Sequence, residues 1–300
     1  MSEPKLLLID ANNMSHRVHW AHKELSWKGT HVGVIFGFFK QLIHLNKEYP
    51  EHYRVIVWDA GHARRTEESE RAVQAGIVPS SYKATRDHDN EEREIIFEQM
   101  DELKEGLRKV KCLQVWKKGF EADDIINTYA KYAQRCGGEA VVVSSDKDFY
   151  QVLDDNVKIY DAMKKEVWSR ERFEMEFGFH PELWVDAGAI MGEVGKSKDN
   201  IFGVEGWGPT YACKYVKDFG SVEEIRAHIK SKEGKKLGKR EQKFIDSDDV
   251  LDLALSLKRM DVVRALPKPD LEESKSEDDL KKYFLEWGFA SLLKEARRLV

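Results

Sequence analysis

Acidic side chains occur at four separate places in the first half of the chain, each close behind a short apolar segment. They are Asp10, Asp59, the group Glu121, Asp123 and Asp124, and the pair Asp146 and Asp148. One aspartate in such a position is often only a turn or helix-cap residue. Several acids delivered to the same place repel one another unless a cation compensates their charge. The pattern as a whole therefore predicts a metal centre.

The chemistry of these side chains indicates which metal they would bind. All of the candidate ligands are hard oxygen atoms, and no histidine or cysteine stands at metal-ligand spacing, which favours Mg²⁺ or Mn²⁺ over zinc. Two such ions about 4 Å apart can activate a water molecule and stabilise the leaving oxygen of a phosphodiester. That reaction needs no nucleophilic serine or cysteine. We therefore expect hydrolysis of nucleic acid.

The elements that must position these acids alternate along the chain. Segments with helical periodicity separate short apolar runs rich in β-branched residues, at 5–9, 54–58, 112–116, 140–144 and 157–160. This alternation is typical of an α/β fold with a mostly parallel central sheet flanked by helices. The carboxyl ends of parallel strands meet at one edge of the sheet, where ligands bind. Since the acids follow the strands, we expect them to meet at that edge.

Two acidic groups have a spacing that suits a shared site. A helix beginning near Glu121 would place Glu121 and Asp124 on one face, with Asp123 beside them. Asp146 and Asp148 would project from a tight turn after an apolar strand, although an aspartate pair of this kind is also common in surface turns.

Two later stretches depart from the strand and helix alternation. From 61 to about 90 the charge is dense and mixed, which indicates a helical excursion from the sheet. Beyond Asn200, three closely spaced glycines precede an amphipathic helix that ends at Gly220. The rest is predicted to be helical, with an acidic linker near 267–279 ahead of a final amphipathic helix.

The charge is unevenly distributed, although its sum is only −5. Between His228 and Lys243 basic residues far outnumber acidic ones, so this segment could follow a phosphate backbone or form a solvated loop. Three widely spaced cysteines suggest neither a disulfide framework nor a zinc site. No window approaches the roughly 18 apolar residues of a membrane span, and no export signal is visible. We expect a soluble protein.

Six blocks of the sequence resemble those of a known family, and they occur in its order between residues 6 and 208. They are LLLIDANN, VIVWDA, SYKATR, GFEADD, SSDKDF and KDNIFGVEGWG. The family is that of the phage-type flap endonucleases and 5′→3′ exonucleases, which are related to the 5′-nuclease domain of bacterial DNA polymerase I. The combination of blocks is far more specific than any one of them.

The resemblance implies that the acids form two metal regions. The first comprises Asp10, Asp59, Glu121, Asp123 and Asp124, and the second Asp146, Asp148 and Asp199. The family's usual block Gly-Asp-x-x-Asp-Asn is altered here, since Glu193 replaces its first aspartate and three extra residues precede Asp199. Glu193 is therefore a candidate ligand only, and the second metal is expected to bind more weakly than the first.

The resemblance also implies how DNA reaches the metal centre. Residues 61–97 would form a helical arch through which a 5′ single strand passes. Lys83 and Arg86 match a basic pair at the base of that arch, where a cation near the scissile phosphate would stabilise developing negative charge. Tyr82 beside them could stack on an unpaired base.

The segment GVEGWGPTYACKYV resembles the helix-hairpin-helix element of the family. Its glycine-rich turn would offer backbone N–H groups to a phosphate of duplex DNA, often with a monovalent cation such as K⁺ held by backbone carbonyls. Trp207 replaces a usual aliphatic residue there, and Thr210 a common lysine. The further DNA-binding candidates are Arg64, Arg65, Gly203, Gly206, Gly208, Lys214, Lys235, Lys236, Lys239 and Arg240.

These inferences define one expected function and domain plan. The catalytic domain would cover 1–200, a helix-hairpin-helix subdomain 201–266, and a linker and helix 267–300. The function would be two-metal cleavage of DNA at 5′ flaps and 5′ ends, with primer removal from RNA–DNA hybrids, and its catalytic residues would be Lys83, Arg86, Asp146 and Asp148. The resemblance also implies a monomer in the cytoplasm of a bacterium or of a phage-infected host. It would work beside replication proteins and away from membranes.

Two other functions fit parts of the sequence. The altered block at Glu193 would suit a structure-specific DNA-binding protein with weakened catalysis, which would bind a flap without cutting it. A PIN-like ribonuclease would explain the acidic sheet edge but neither Lys83 nor the glycine hairpin. Preferential cleavage of single-stranded RNA would support that second alternative.

Overall fold

A central β-sheet organises the chain, for which a computed structural model describes residues 3–85, 91–196, 198–232, 237–270 and 274–300. The strands are β1 (Lys5–Asp10), β2 (Ser26–Trp27), β3 (Thr30–His31), β4 (Tyr53–Val57), β5 (Leu113–Val115), β6 (Glu139–Val143), β7 (Val157–Asp161) and β8 (Glu166–Trp168). Within the described part of the chain, six of these strands form one sheet in the order β5-β4-β1-β6-β7-β8. The pairs from β5 to β7 are all parallel, and β8 is antiparallel at the edge.

The five strands expected from the sequence and the mostly parallel sheet are confirmed. The hairpin of β2 and β3 and the edge strand β8 were not expected, because segments of two or three residues are too short to show a period. The central strand β1 is fully buried over its apolar part. Leu6 and Leu8 pack into one core, and Leu7 and Ile9 into another on the opposite face.

Helices cover both faces of the sheet. They are α1 (Ala11–Ala21), α2 (Gly33–Glu48), α3 (Ala63–Gln74), α4 (Glu91–Leu107), α5 (Ala122–Arg135), α6 (Arg170–Phe177), α7 (Trp184–Met191), α8 (Pro209–Phe219), α9 (Val222–Lys230), α10 (Lys239–Ile245), α11 (Asp248–Lys258) and α12 (Glu277–Glu286). Short 3₁₀ helices occupy Lys147–Val152, Pro181–Leu183 and Ala290–Arg298. Among the described residues, no helix combines the length and apolar character that a membrane crossing requires.

The helices after Asn200 extend the core of one sheet face. Residues of α8, α9, α10 and α11 join α5 and α7 in the same apolar cluster as Leu6. The helix α12 instead returns to the other face, where Phe284 packs edge-on against Phe39 of α2 with ring centroids 5.0 Å apart. The segment expected as an arch, 61–97, consists of α3, a turn and the first residues of α4 in its described part.

Candidate metal centre

The carboxyl ends of β1, β4 and β6 open into a cavity of about 950 Å³. Its acidic lining residues are Asp10, Asp59, Glu70, Glu121, Asp123, Asp146, Asp148 and Asp199. Asp10 is the last residue of β1, and its carboxylate also caps α1 by accepting a hydrogen bond from the Asn13 amide at 3.0 Å. Asp146 caps the 3₁₀ turn Lys147–Val152 in the same way. In both cases the acid that caps the helix also lines the cavity.

Asp10, Asp59 and Asp146 lie close together in the cavity, and neutral groups hydrogen-bond to Asp10. Asp10 accepts hydrogen bonds from the Asn13 amide and from the Ser144 hydroxyl at 3.0 Å. Burial, together with the negative charges of Asp59 and Asp146, raises the pKa of Asp10 to about 7. A cation would relieve the repulsion between these carboxylates.

Arg65 neutralises the acids at the start of α5. Its guanidinium donates to Glu121 at 2.6 Å, to Asp124 at 3.0 Å and to Asp123 at 3.2 Å. The whole side chain is buried, with 3% of it exposed. Burial still holds the pKa of Asp123 well above its ordinary value in spite of this partner. Arg65 also donates to the backbone carbonyl of Leu257, which ties α3 to the end of α11.

Tyr82 and Lys83, at the base of the expected arch, contact Glu121 and Asp199. The Tyr82 hydroxyl donates to Glu121 at 3.1 Å and to Asp199 at 3.0 Å, and the Lys83 ammonium contacts Glu121. Burial alone would raise the pKa of Glu121, but Lys83 and Arg65 outweigh it and keep the pKa low. Lys83 has a φ of 57°, which is sparsely populated for lysine, and its amide donates to the Asp199 carbonyl at 2.8 Å.

Lys258, the last residue of α11, forms the third basic contact. Its ammonium lies 2.9 Å from an Asp148 oxygen and 2.7 Å from a Glu193 oxygen. Burial would lower the pKa of Lys258, but the charges of Asp148 and Glu193 raise it overall. The sequence analysis did not single out this lysine, because nothing in its local pattern distinguishes it from the other lysines of a helical region.

The residues that the sequence analysis assigned to metal are thus brought together in one region, but in different ways. Asp124 stands outside the cavity lining and is buried against Arg65 and the Asp261 amide. In the part of the chain that the structure describes, no three histidine, cysteine, aspartate or glutamate side chains enclose a ready-made metal cage. The basic side chains of Arg65, Lys83 and Lys258 contact the acids at the start of α5, Asp148 and Glu193, whereas neutral groups hydrogen-bond to Asp10.

Several side chains that were expected to contact DNA are instead engaged within the protein. The ring of Tyr82 is 7% exposed and packs against His62, so base stacking by this ring is inconsistent with the structure. Arg65 is buried against the acids, and Arg64 donates to Asp261 at 2.7 Å and to Glu68 at 3.0 Å. These two guanidinium groups serve contacts within the protein rather than an open phosphate surface. Arg86, Lys235 and Lys236 lie outside the described residues.

The glycine turn before α8 has an open and a packed part. Gly206 has a φ of 81°, and Gly208 precedes α8; a side chain at either would meet no atom within 4 Å. Gly203 instead packs its backbone against Gly192, since an added Cβ would lie 2.4 Å from the Gly192 nitrogen. Trp207 is buried, and its indole donates to the Arg240 carbonyl at 3.2 Å. Exposed cations nearby are Lys214, Lys239 and Arg240.

A mostly parallel sheet with an acidic cavity at its carboxyl edge places the chain among the α/β proteins that bind ligands at that edge. The chain belongs to the 5′-3′ exonuclease family. The model of the family's N-terminal resolvase-like domain matches residues 5–178, and that of its C-terminal SAM fold matches 179–278. The resemblance to this family and the α/β fold class expected from the sequence are confirmed.

Known proteins similar to this chain include bacterial and phage members of the family. DNA polymerase I of Bacillus subtilis is 32% identical over 81% of the chain, and a 5′-3′ exonuclease of Aquifex aeolicus is 30% identical over 73%. The chain spans 26% of the polymerase and 71% of the exonuclease. A solved bacteriophage T5 flap endonuclease, in complex with DNA and metal ions, has the same fold with a TM-score of 0.65 at 20% identity, covering 98% of this chain and 97% of that one.

Proposed function

We propose that this protein is a metal-dependent 5′-nuclease that cleaves phosphodiesters at 5′ flaps and 5′ ends of DNA. The observation that carries the proposal is the meeting of Asp10, Asp59 and Asp146 at the carboxyl edge of the sheet, where burial and like charge raise the pKa of Asp10. Family membership supports the proposal, as does the similarity to a flap endonuclease bound to DNA and metal ions.

The mechanism assigns separate tasks to the side chains of the cavity. Asp10, Asp59 and Asp146 would hold Mg²⁺ or Mn²⁺, which supplies an activated water and Lewis-acid stabilisation of the leaving oxygen. Lys83 stands at the cavity with its ammonium on Glu121 and is placed to donate to a phosphate oxygen in exchange. Tyr82 orients Glu121 and Asp199 through its hydroxyl.

Duplex DNA would be held by the turn before α8. The open surface at Gly206 and Gly208 lets a phosphate approach the backbone amides at the start of this helix. A K⁺ ion held by backbone carbonyls of the turn belongs to this proposal, and so do contacts from Lys214, Lys239 and Arg240. The proposal further includes RNA–DNA hybrids among the substrates and replication proteins among the partners. It describes the protein as a monomer of the cytoplasm.

The substitution Asp146→Asn tests the proposal, because it removes one charge from the acid group while keeping the shape of the side chain. We expect cleavage of a 5′-labelled flap to be abolished in Mg²⁺ and in Mn²⁺, with the affinity for the flap largely retained. Asp101→Asn is a matched control, since Asp101 is an exposed residue of α4 that pairs only locally with Lys104. Full activity of Asp146→Asn would refute the assignment of this acid group.

One observation favours a second candidate, a flap-binding protein with weakened catalysis. Lys258 neutralises Asp148 and Glu193, which belong to the region where the resemblance implies the second metal. A panel of flap, nicked, blunt and RNA-primed duplexes, and of single-stranded RNA, separates the candidates. Binding of the flap without cleavage in either metal would support the second candidate, and preference for single-stranded RNA would support a ribonuclease.

A further inference from the structure

The contacts of Lys258 involve more than one salt bridge. Three carboxylate oxygens surround its ammonium, two from Asp148 at 2.9 and 3.2 Å and one from Glu193 at 2.7 Å. The residue is 7% exposed, whereas the two acids are each 30% exposed. One nitrogen thus occupies the point on which oxygens of two acids converge.

Both ends of Lys258 are fixed by the surrounding helices. Its aliphatic stem packs over α7, where a side chain added at Gly188 would meet the Lys258 Cδ at 3.6 Å. Its backbone carbonyl accepts a hydrogen bond from Gln151 at 3.2 Å. A mobile surface lysine would have neither constraint, so the ammonium is held in place by the packing of the end of α11.

The acids themselves are also positioned by backbone structure. Glu193 pairs with Ile201 in an antiparallel bridge, with the Glu193 amide 2.6 Å from the Ile201 carbonyl. This bridge holds Glu193 against Lys258. Asp148 is fixed by its amide, which donates to Asp146 at 2.9 Å.

A divalent ion and a lysine ammonium cannot share this position. Their like charges repel, and both would need the same carboxylate oxygens. Displacing the ammonium would leave a buried charge without its partners, which is costly. Any divalent ion that uses Asp148 and Glu193 must therefore overcome the cost of moving Lys258.

We propose that Lys258 is a built-in counter-ion that takes the place of a divalent metal between Asp148 and Glu193, so that this chain binds one divalent ion tightly and a second one weakly. The tight ion would be the one held by Asp10, Asp59 and Asp146. The inference rests on the proposed function in so far as it concerns the same centre, but metal binding without DNA tests it separately from cleavage.

Titration of the metal-free protein with Mn²⁺, followed by calorimetry and by the electron paramagnetic resonance signal of free Mn²⁺, counts the bound ions directly. We expect one strong site in the unmodified chain and a second site at least about tenfold weaker. In Lys258→Met, which keeps the stem and removes the charge, the affinity of the second site should rise by about tenfold or more. Lys198→Met is the matched control, because Lys198 contacts Glu193 at 3.4 Å from an exposed position, and this variant should leave the second site unchanged.

Two equally strong sites in the unmodified chain, left unaltered by Lys258→Met, would overturn the inference. If Lys258→Met does not fold, Lys258→Gln provides the comparison, with the rise in Tm on addition of Mn²⁺ as the readout. A Tm rise in this variant no steeper with Mn²⁺ concentration than in the unmodified chain would likewise contradict it. One strong Mn²⁺ site with no cleavage of any nucleic acid would leave this inference standing and refute the proposed function.

Discussion

At the scale of single residues, the acids of the cavity differ in what balances their charge. Arg65 serves the acids at the start of α5, Lys83 contacts Glu121, and Lys258 serves Asp148. Asp10 has hydrogen bonds from neutral groups instead. The same residue type at the end of a strand thus has different chemistry, depending on the side chain that packs against it from a distant part of the chain.

Arg65→Met should destabilise the protein strongly, because it leaves Asp124 buried without its cationic partner and Glu121 with Lys83 alone. We expect a loss of about 3–5 kcal/mol in the free energy of unfolding, measured by urea denaturation near pH 7. Arg71→Met is the matched control on the same helix, since Arg71 forms an exposed pair with Glu67. A loss for Arg65→Met as small as that for the control would mean that the acids are satisfied without the guanidinium.

Asp10, Asp59, Asp146 and Asp148 could be predicted from the sequence because they closely follow strands, and the edge of a parallel sheet is shared. Asp199 follows a helix and was predicted only from the resemblance to the family. Lys258 could not be predicted, since its contact with Asp148 joins residues 110 positions apart and depends on how α11 packs. The burial of Tyr82 was missed for the same reason. Its hydroxyl reaches Asp199 across 117 positions, and no local pattern reports such a contact.

At the scale of elements, α1 joins the metal centre to the helices of the opposite face. It follows its cap residue Asp10 directly and packs along α2, and its residue His19 is buried with 3% of its surface exposed. The Nε2 atom of His19 is buried, and the described part of the chain offers it no hydrogen-bond partner. A neutral imidazole is the form that such a site tolerates, since an imidazolium ion there would be desolvated.

His19 should therefore contribute a loss of stability as the pH drops below about 6.5, the ordinary pKa of histidine. Burial lowers the pKa of His19, with Lys23 and His31 acting in the same direction and Glu92 against it. The unfolded chain then binds a proton in a pH range where the folded chain does not, which favours unfolding by at most about 1.4 kcal/mol per pH unit. Urea unfolding from pH 7.5 to 5 should show a smaller loss for His19→Gln than for the unmodified chain. Parallel curves for the two proteins would rule out His19 as the source.

At the scale of the whole molecule, the net charge of −5 hides a separation of charge. The cavity concentrates acids at one edge of the sheet, whereas exposed cations stand on the helices beyond the glycine turn. A polyanion would therefore be attracted to the helical unit and repelled from the cavity wherever no metal compensates the acids. Binding of the duplex and cleavage of the strand would accordingly depend on different residues.

The salt dependence of DNA binding should report on those helices. Lys214→Ala or Lys239→Ala should reduce the slope of log K against log salt by about 0.9 for each phosphate contact that is lost. The slope is measured in Ca²⁺ or without metal, with a fluorescent flap and at several salt concentrations. Lys158→Ala is the control, because Lys158 is exposed on β7, away from the helices after Asn200. Equal slopes in all three variants would place the duplex elsewhere.

The contact between the base of the arch and the segment at Asp199 has a consequence for how such sequences diversify. Lys83 and Asn200 both have left-handed backbones, and the Asn200 side chain donates to the Ser81 carbonyl at 2.7 Å. Two segments joined so closely cannot change length independently, because a shift in one would displace a functional side chain of the other. Among relatives, the loop before Asp199 and the turn before Lys83 should therefore evolve as a pair, with gaps and insertions in one matched by substitutions in the other.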